Sequence, residues 1–204
     1  TFDNQALYAS SNVGRDKSAI VEYDLKTGEE RKLVYEHRLL DGTYITIRPI
    51  RPEDAEIEQE FIRGLSAESK YFRFMNTFHE LSREMLVKLT QIDYHNEMAL
   101  IAMVNRDGEE EQIGVARYVT NIDKKSCEFA LVVADAWHGR SIGHHLMREL
   151  MNVARDRELE TMEGQVLSNN RRMLGLMTSL GFEAEIDPED DSLRHVVAGL
   201  HRTT

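Results

Sequence analysis

The sequence predicts an α+β fold, a mixed central sheet flanked by helices, with an N-terminal β-hairpin appendage. Three observations predict it. A short run of β-formers, Glu128-Phe129-Ala130-Leu131-Val132-Val133, leads through a glycine-bearing loop into a segment where Ile142, Leu146, Leu150 and Ala154 recur every fourth residue, with Met147 and Met151 beside them. Ahead of it, two apolar runs are joined by Asn105-Arg106-Asp107-Gly108, a hairpin signal that puts antiparallel strands in the middle of the sheet. After it, helical and strand patterns alternate to the end of the chain.

Residues 1–37 differ in character from the rest. Ala19 to Asp24 and Arg31 to Glu36 flank Leu25-Lys26-Thr27-Gly28-Glu29-Glu30, which reads as strand, turn, strand. A lone hairpin cannot stand by itself, so this segment is an add-on or a fusion remnant and 38–204 is the main domain. From Asp41 the pattern gives a strand near 43–49, a helix from Glu53 to Arg63 closed by Gly64, and a second helix with Ser82 as N-cap. Strands at 97–104, 112–118 and 127–134 form an antiparallel meander. A helix at 141–157, a strand at 161–167, a helix at 170–180 and strands near 182–186 and 193–198 follow.

The loop Trp137-His138-Gly139-Arg140-Ser141-Ile142-Gly143-His144 reads as a phosphate cradle. At a helix start the first backbone N–H groups have no partner within the helix and the dipole is positive, so an anionic phosphate binds there with little side-chain help. Gly139 and Gly143 let a ligand approach the backbone.

Composition narrows the function. A formal charge of -11 and a pI near 5.2 exclude a non-specific nucleic-acid binder, which needs clustered Lys and Arg, and favour basic or lysine-bearing partners. One cysteine allows no disulfide within the chain. The absence of a long apolar run or a signal-like start is read as a soluble cytoplasmic protein with no membrane partner, and the start at Thr1 as a fragment or processed form. Oligomeric state is left open.

The loop, with His138-x-x-Ser141-x-Gly143, resembles the coenzyme A loop of the GCN5-related N-acetyltransferase (GNAT) superfamily, which usually reads Gln or Arg, two residues, Gly, one residue, Gly or Ala. His138 and Ser141 depart from that pattern. Leu40-Asp41-Gly42 through Glu53-Asp54 resembles the superfamily's opening strand and first-helix start, and Leu180-Gly181-Phe182 its closing turn. Leu65-Ser66-Ala67-Glu68-Ser69-Lys70-Tyr71-Phe72-Arg73-Phe74 resembles, more narrowly, the acetyltransferase domain of bacterial protein lysine acetyltransferases, often fused to an acyl-CoA synthetase-like module. Residues 1–37 bear a slight resemblance to a propeller-blade fragment of prolyl-oligopeptidase-type peptidases, through the words at 11–17 and 23–28.

The GNAT resemblance implies acetyl transfer from acetyl-CoA to a primary amine, most plausibly a protein lysine. It implies Glu128 as general base, polarisation of the thioester oxygen by backbone N–H groups near Val132 and Val133, a cradle formed by His138, Gly139, Arg140, Ser141, Ile142, Gly143 and His144, and Asn170 on the pantetheine arm. The residues fit this chemistry. Strand alternation puts Glu128 on a face with Ala130, Val132 and Ala134, where partial burial favours a base. A lysine amine with an unperturbed pKa of about 10.4 needs one, since its neutral form lies roughly 4–5 kcal/mol uphill at neutrality. If the motif Gly ordinarily takes a positive φ, Ser141 costs on the order of 1 kcal/mol. Met177 stands where many members carry a Tyr that protonates the leaving thiolate, which leaves that proton to water or the thiolate unprotonated. Arg171 and Arg172 are further phosphate candidates.

Other readings of the same residues exist. Gly139-x-Ser141-x-Gly143 fits a hydrolase nucleophile elbow, followed in order by Glu189-Asp190-Asp191 and His195, but Ser141 lies too far beyond the strand end. A non-catalytic sensor of acyl-CoA or an amino acid is the main alternative function. His138, His144 and His145 lack metal-ligand spacing, and Cys127 reads as core.

Overall fold

In a computed structural model of the chain, residues 6–11, 19–24, 30–76 and 79–201 are described. The strands are β1 (Ala6–Ser11), β2 (Ala19–Asp24), β3 (Glu30–Lys32), β4 (Tyr35–Arg38), β5 (Tyr44–Pro49), β6 (Glu97–Arg106), β7 (Glu109–Thr120), β8 (Ser126–Val133), β9 (Thr161–Leu167), β10 (Glu183–Ile186) and β11 (Leu193–Gly199). The α-helices are α1 (Ala55–Gly64), α2 (Ala67–Phe74), α3 (Arg83–Thr90), α4 (Ile142–Asp156) and α5 (Arg171–Ser179). Strands β4 to β11 form one sheet in the order β10-β11-β9-β8-β7-β6-β5-β4, and β1-β2-β3 form a separate small one. Every pairing in the large sheet is antiparallel except β8 with β9, which α4 connects.

The central strand β6 is buried on both faces, which is why its sequence is a continuous apolar run. Its Met98, Leu100, Ala102 and Val104 join Leu146, Met147 and Leu150 of α4 in one core, while Ala99, Ile101 and Met103 join Phe61 and Ile62 of α1 in the other. The β6–β7 turn places Asp107 and Gly108 at φ 53° and 91°, the pair of positive values that Asp-Gly accepts. A Cβ on Gly114 of β7 would lie 2.9 Å from Leu146 Cδ1, so α4 rests almost directly on the strand backbone.

Two expectations change. The expected strand at 31–36 is divided: β3 pairs with β2 in the small sheet, whereas β4 pairs with β5 in the large one. Buried Leu33 draws the chain from one to the other. Helix α2 was not expected. Ser66 caps it by accepting from the Ser69 N–H, and Met75 ends it at φ 51°. Residues 25–29 of the expected turn and most of the propeller-like words lie outside the described residues.

Candidate active site

Pairing between β8 and β9 stops at Glu128 opposite Glu163, and both strands then run on apart. Past that point one edge of β8, Phe129 to Val133, has no strand beside it, so alternate backbone N–H and C=O groups point into the gap. Aromatic packing fills the apex: a Cβ on Gly164 would come within 2.7 Å of the Phe129 ring, which also packs edge-on against Phe182.

Beyond the apex the gap widens into a cleft of about 750 Å³. Leu131, Val132 and Val133 form one wall, Asn169 to Met173 and Leu176 the other, the start of α4 the floor, and Glu68, Ser69, Phe72 and Arg73 of α2 one lip. Nine of the ten residues expected to hold the cofactor line this cleft: Val132, Val133, His138, Gly139, Ser141, Ile142, Gly143, His144 and Asn170. The tenth, Arg140, does not. Its guanidinium pairs with Asp41 at 2.8 Å and lies over the Trp137 ring, a contact between segments 99 residues apart.

The cradle has the expected electrostatics. No side chain caps α4, and no acidic residue stands in its first turn. Gly139 and Ser141 have φ of 77° and 63°, turning the loop so that the helix start faces the cleft. Gly143 permits close packing, since a Cβ there would sit 3.0 Å from Leu176 Cδ2. His138 Nε2 donates to the Val133 carbonyl, 2.9 Å away, and its Nδ1 accepts from Arg172, so this histidine fastens the loop to the end of β8. Asn170 caps α5 by accepting from the Met173 N–H while also lining the cleft. Arg171 and Arg172 stand exposed at the rim.

Ser141 adopts the left-handed conformation that glycine accepts freely. Ser141→Gly is therefore expected to raise stability by up to ~1 kcal/mol, read as a rise of a few degrees in thermal midpoint.

The family resemblance already offered Tyr71, Arg73 and Phe74 as residues shaping a substrate mouth, and Arg73 lines the lip; what sequence reasoning missed is how the lip is held. Asp135 accepts from the Ser66 N–H at 2.9 Å, the Ser66 hydroxyl at 2.8 Å and the Ser69 hydroxyl at 2.7 Å, tying the start of α2 to the β8–α4 loop. Burial works to raise the Asp135 pKa, but these hydrogen bonds hold the carboxyl below its usual range. The available signal was the Ser66-x-x-Ser69 spacing of a capped helix. Arg73 of α2 faces both the cleft and the charges of Glu58 and Glu128; burial first, then Arg117, pulls its pKa down to about 10, so it stays cationic at neutrality.

Glu128 does not lie in the half-dry surroundings expected of it. Its side chain is exposed, opposite the exposed Val119 of β7. It lines a smaller cleft of about 220 Å³ with Glu163, Gly164, Gln165 and His195. Met177 is buried in the core. Burial pushes the Cys127 thiol up to about 12, leaving it protonated and inert. The hydrolase triad does not assemble: His195 bonds to Glu163, and Asp190 accepts from the Ser192 N–H of its own loop.

A strand pair that parts over an uncapped helix start, with apolar walls and a cationic rim, defines a protein that takes an acyl group from coenzyme A. Residues 62–182 match the Acetyltransferase (GNAT) family, and the chain belongs to that family. It is 38% identical over 152 residues to Acetyltransferase PA5475 of Pseudomonas aeruginosa, covering 74% of this chain and 82% of that protein. It is 28% identical over 141 residues to Acetyltransferase Pat of Mycolicibacterium smegmatis, covering 69% of this chain and 41% of that longer protein. The crystal structure of the GNAT domain of S. lividans PAT superposes with a TM-score of 0.74 at 26% identity, covering 81% of this chain and 96% of that one. The chain is an acetyltransferase that uses acetyl-CoA as cosubstrate and acts on amine-bearing acceptors. Among the described residues no helix is long and apolar enough to cross a membrane.

Proposed function

We propose that the acceptor is a protein lysine, that Glu128 is the general base, and that the nine cleft residues hold the cosubstrate. The catalytic unit in this reading is 38–204, with β4 completing its sheet and the segment before β4 an appendage to it, in a cytoplasmic protein. The observation that carries it is the position of Glu128, where β8 and β9 part, beside the cleft and open to water. The resemblance of residues 65–74 to bacterial protein lysine acetyltransferases supports the lysine.

Acetyl-CoA supplies an activated acetyl thioester. The helix α4 start attracts its phosphates, and backbone N–H groups on the free edge of β8 near Val132 and Val133 polarise the thioester oxygen. Glu128 takes the surplus proton of the amine through water. The neutral amine nitrogen bonds to the carbonyl carbon, the carbon–sulfur bond breaks, the sulfur leaves with its electron pair and is protonated by water, since Met177 offers no proton, and the nitrogen gives up its remaining extra proton to that water to become the amide. The products are a secondary amide and coenzyme A. Holding amine and thioester together supplies much of the remaining acceleration.

Calorimetric titration with acetyl-CoA, coenzyme A and ATP, followed by mass spectrometry of a lysine peptide incubated with acetyl-CoA, tests this. Shared binding of both coenzyme A species, none of ATP, and a single added acetyl group on the lysine are expected. Coenzyme A binding with no acetylation of any lysine peptide would transfer the argument to a sensor.

A further inference from the structure

We propose that Glu163, held by Asn121 and His195 beside Glu128, anchors the protonated acceptor amine, so that the small cleft is the acceptor subsite. This deepens the acceptor reading above and rests on it.

The parallel register sets Glu163 of β9 directly against Glu128 of β8, and the antiparallel register sets His195 of β11 against Gln165 of β9. All four side chains line the same cleft of about 220 Å³. That space suits the end of an aliphatic amine, not a nucleotide, and it lies on the stretch of β8 just before the walls of the larger cleft begin. An amine entering here meets β8 at Glu128, close in the strand to Leu131, where the wall of the larger cleft begins.

The two carboxylates are held differently. Both oxygens of Glu163 are engaged: Asn121 Nδ2 donates to Oε1 at 2.6 Å, and His195 Nε2 meets Oε2 at 3.0 Å. Glu128 makes no hydrogen bond or ion pair among the described residues, and the nearby charge is that of Arg73. A carboxylate gripped by two donors is a fixed negative charge suited to holding an ammonium group. A carboxylate left free is suited to receiving the proton. Glu163 thus binds and Glu128 accepts, with Asn121 and His195 as positioning residues. The rival role for Glu163 is a staple that ties β9 to the β7–β8 turn and to β11, and it predicts lost stability with no change in acceptor affinity.

Steady-state kinetics at saturating acetyl-CoA separate the two, with two probes. One is an N-acetylated, C-amidated Gly-Gly-Lys-Gly-Gly peptide, and the other is n-butylamine. Glu163→Gln and His195→Ala are expected to raise KM for both amines about tenfold, with kcat within about threefold and acetyl-CoA affinity by calorimetry unchanged. His195→Gln, which keeps an N–H within reach of Glu163, restores KM toward wild type. Glu60→Gln on the exposed face of α1 changes nothing. An unaltered amine KM in Glu163→Gln, with or without a lower melting temperature, overturns the inference and leaves the lysine reading standing. Acetylation of butylamine but never of the peptide removes the lysine reading, while the KM shift for butylamine still supports the anchor. Failure of the wild-type enzyme on both amines overturns both.

Discussion

Glu128→Gln is expected to lower turnover by roughly 100-fold while acetyl-CoA affinity stays within about twofold. The substitution keeps size and shape and removes only the ability to take a proton. Because Glu128 is exposed, bulk water and buffer bases reach the amine and replace part of its action, which places the loss at the lower end of the usual range for a general base. Affinity holds because Glu128 lines the smaller cleft, not the one with the helix start. Single-turnover rates with a lysine peptide, paired with calorimetric titration of acetyl-CoA, measure the two quantities separately. Unchanged turnover would remove Glu128 from the mechanism.

The largest stability effect is expected at Asp54, where Asp54→Ala should cost about 3–5 kcal/mol. Asp54 is 2% exposed and Arg48 9%. The pair is bidentate, with Arg48 Nη1 and Nη2 donating to the two carboxylate oxygens at 2.7 and 2.8 Å, and the Arg51 N–H adds a third bond at 2.7 Å. Removing the carboxylate leaves a buried guanidinium without its counter-charge just where β5 hands the chain to α1. Denaturant melts measure the loss, and adding Arg48→Met should recover much of it by removing the stranded charge.

The same pair sets an acid limit. Burial opposes the charge on Asp54, but the Arg48 hydrogen bonds and charge, then Arg51, hold its carboxyl below the usual carboxylate range. A folded pKa below the unfolded one, about 3.9, means that the unfolded chain binds the proton first. The stabilisation is therefore complete above about pH 4 and is lost as pH falls through the lower folded value. The wild-type profile of stability against pH should drop across that window, and that of Asp54→Ala should be flatter.

What was legible in the sequence was short-range. The Asp107-Gly108 turn, the alternation in β8, the fourfold spacing in α4 and the Ser82 cap each depend on residues within a few positions, and all stand in the structure. The cradle was legible for the same reason, since a strand, a loop with positive φ and a helix start are consecutive in the chain. Helix α2 escaped notice because only its first turn carries a signal. The strand expected at 31–36 hid a change of sheet, because β-formers specify extended backbone without specifying a partner.

By itself, then, the sequence determined most of the order of elements from β5 onward, and it singled out the loop before α4 with its left-handed serine and a candidate base. Tertiary structure alone decided which charges meet. It turned Arg140 toward Asp41 and away from the cleft, brought Ser66 and Ser69 to Asp135, and locked Glu163 between Asn121 and His195 while leaving Glu128 free. These contacts join segments roughly 30 to 100 positions apart. No local periodicity encodes them, because they arise only when the sheet's register and the packing of its helices set distant backbone segments side by side.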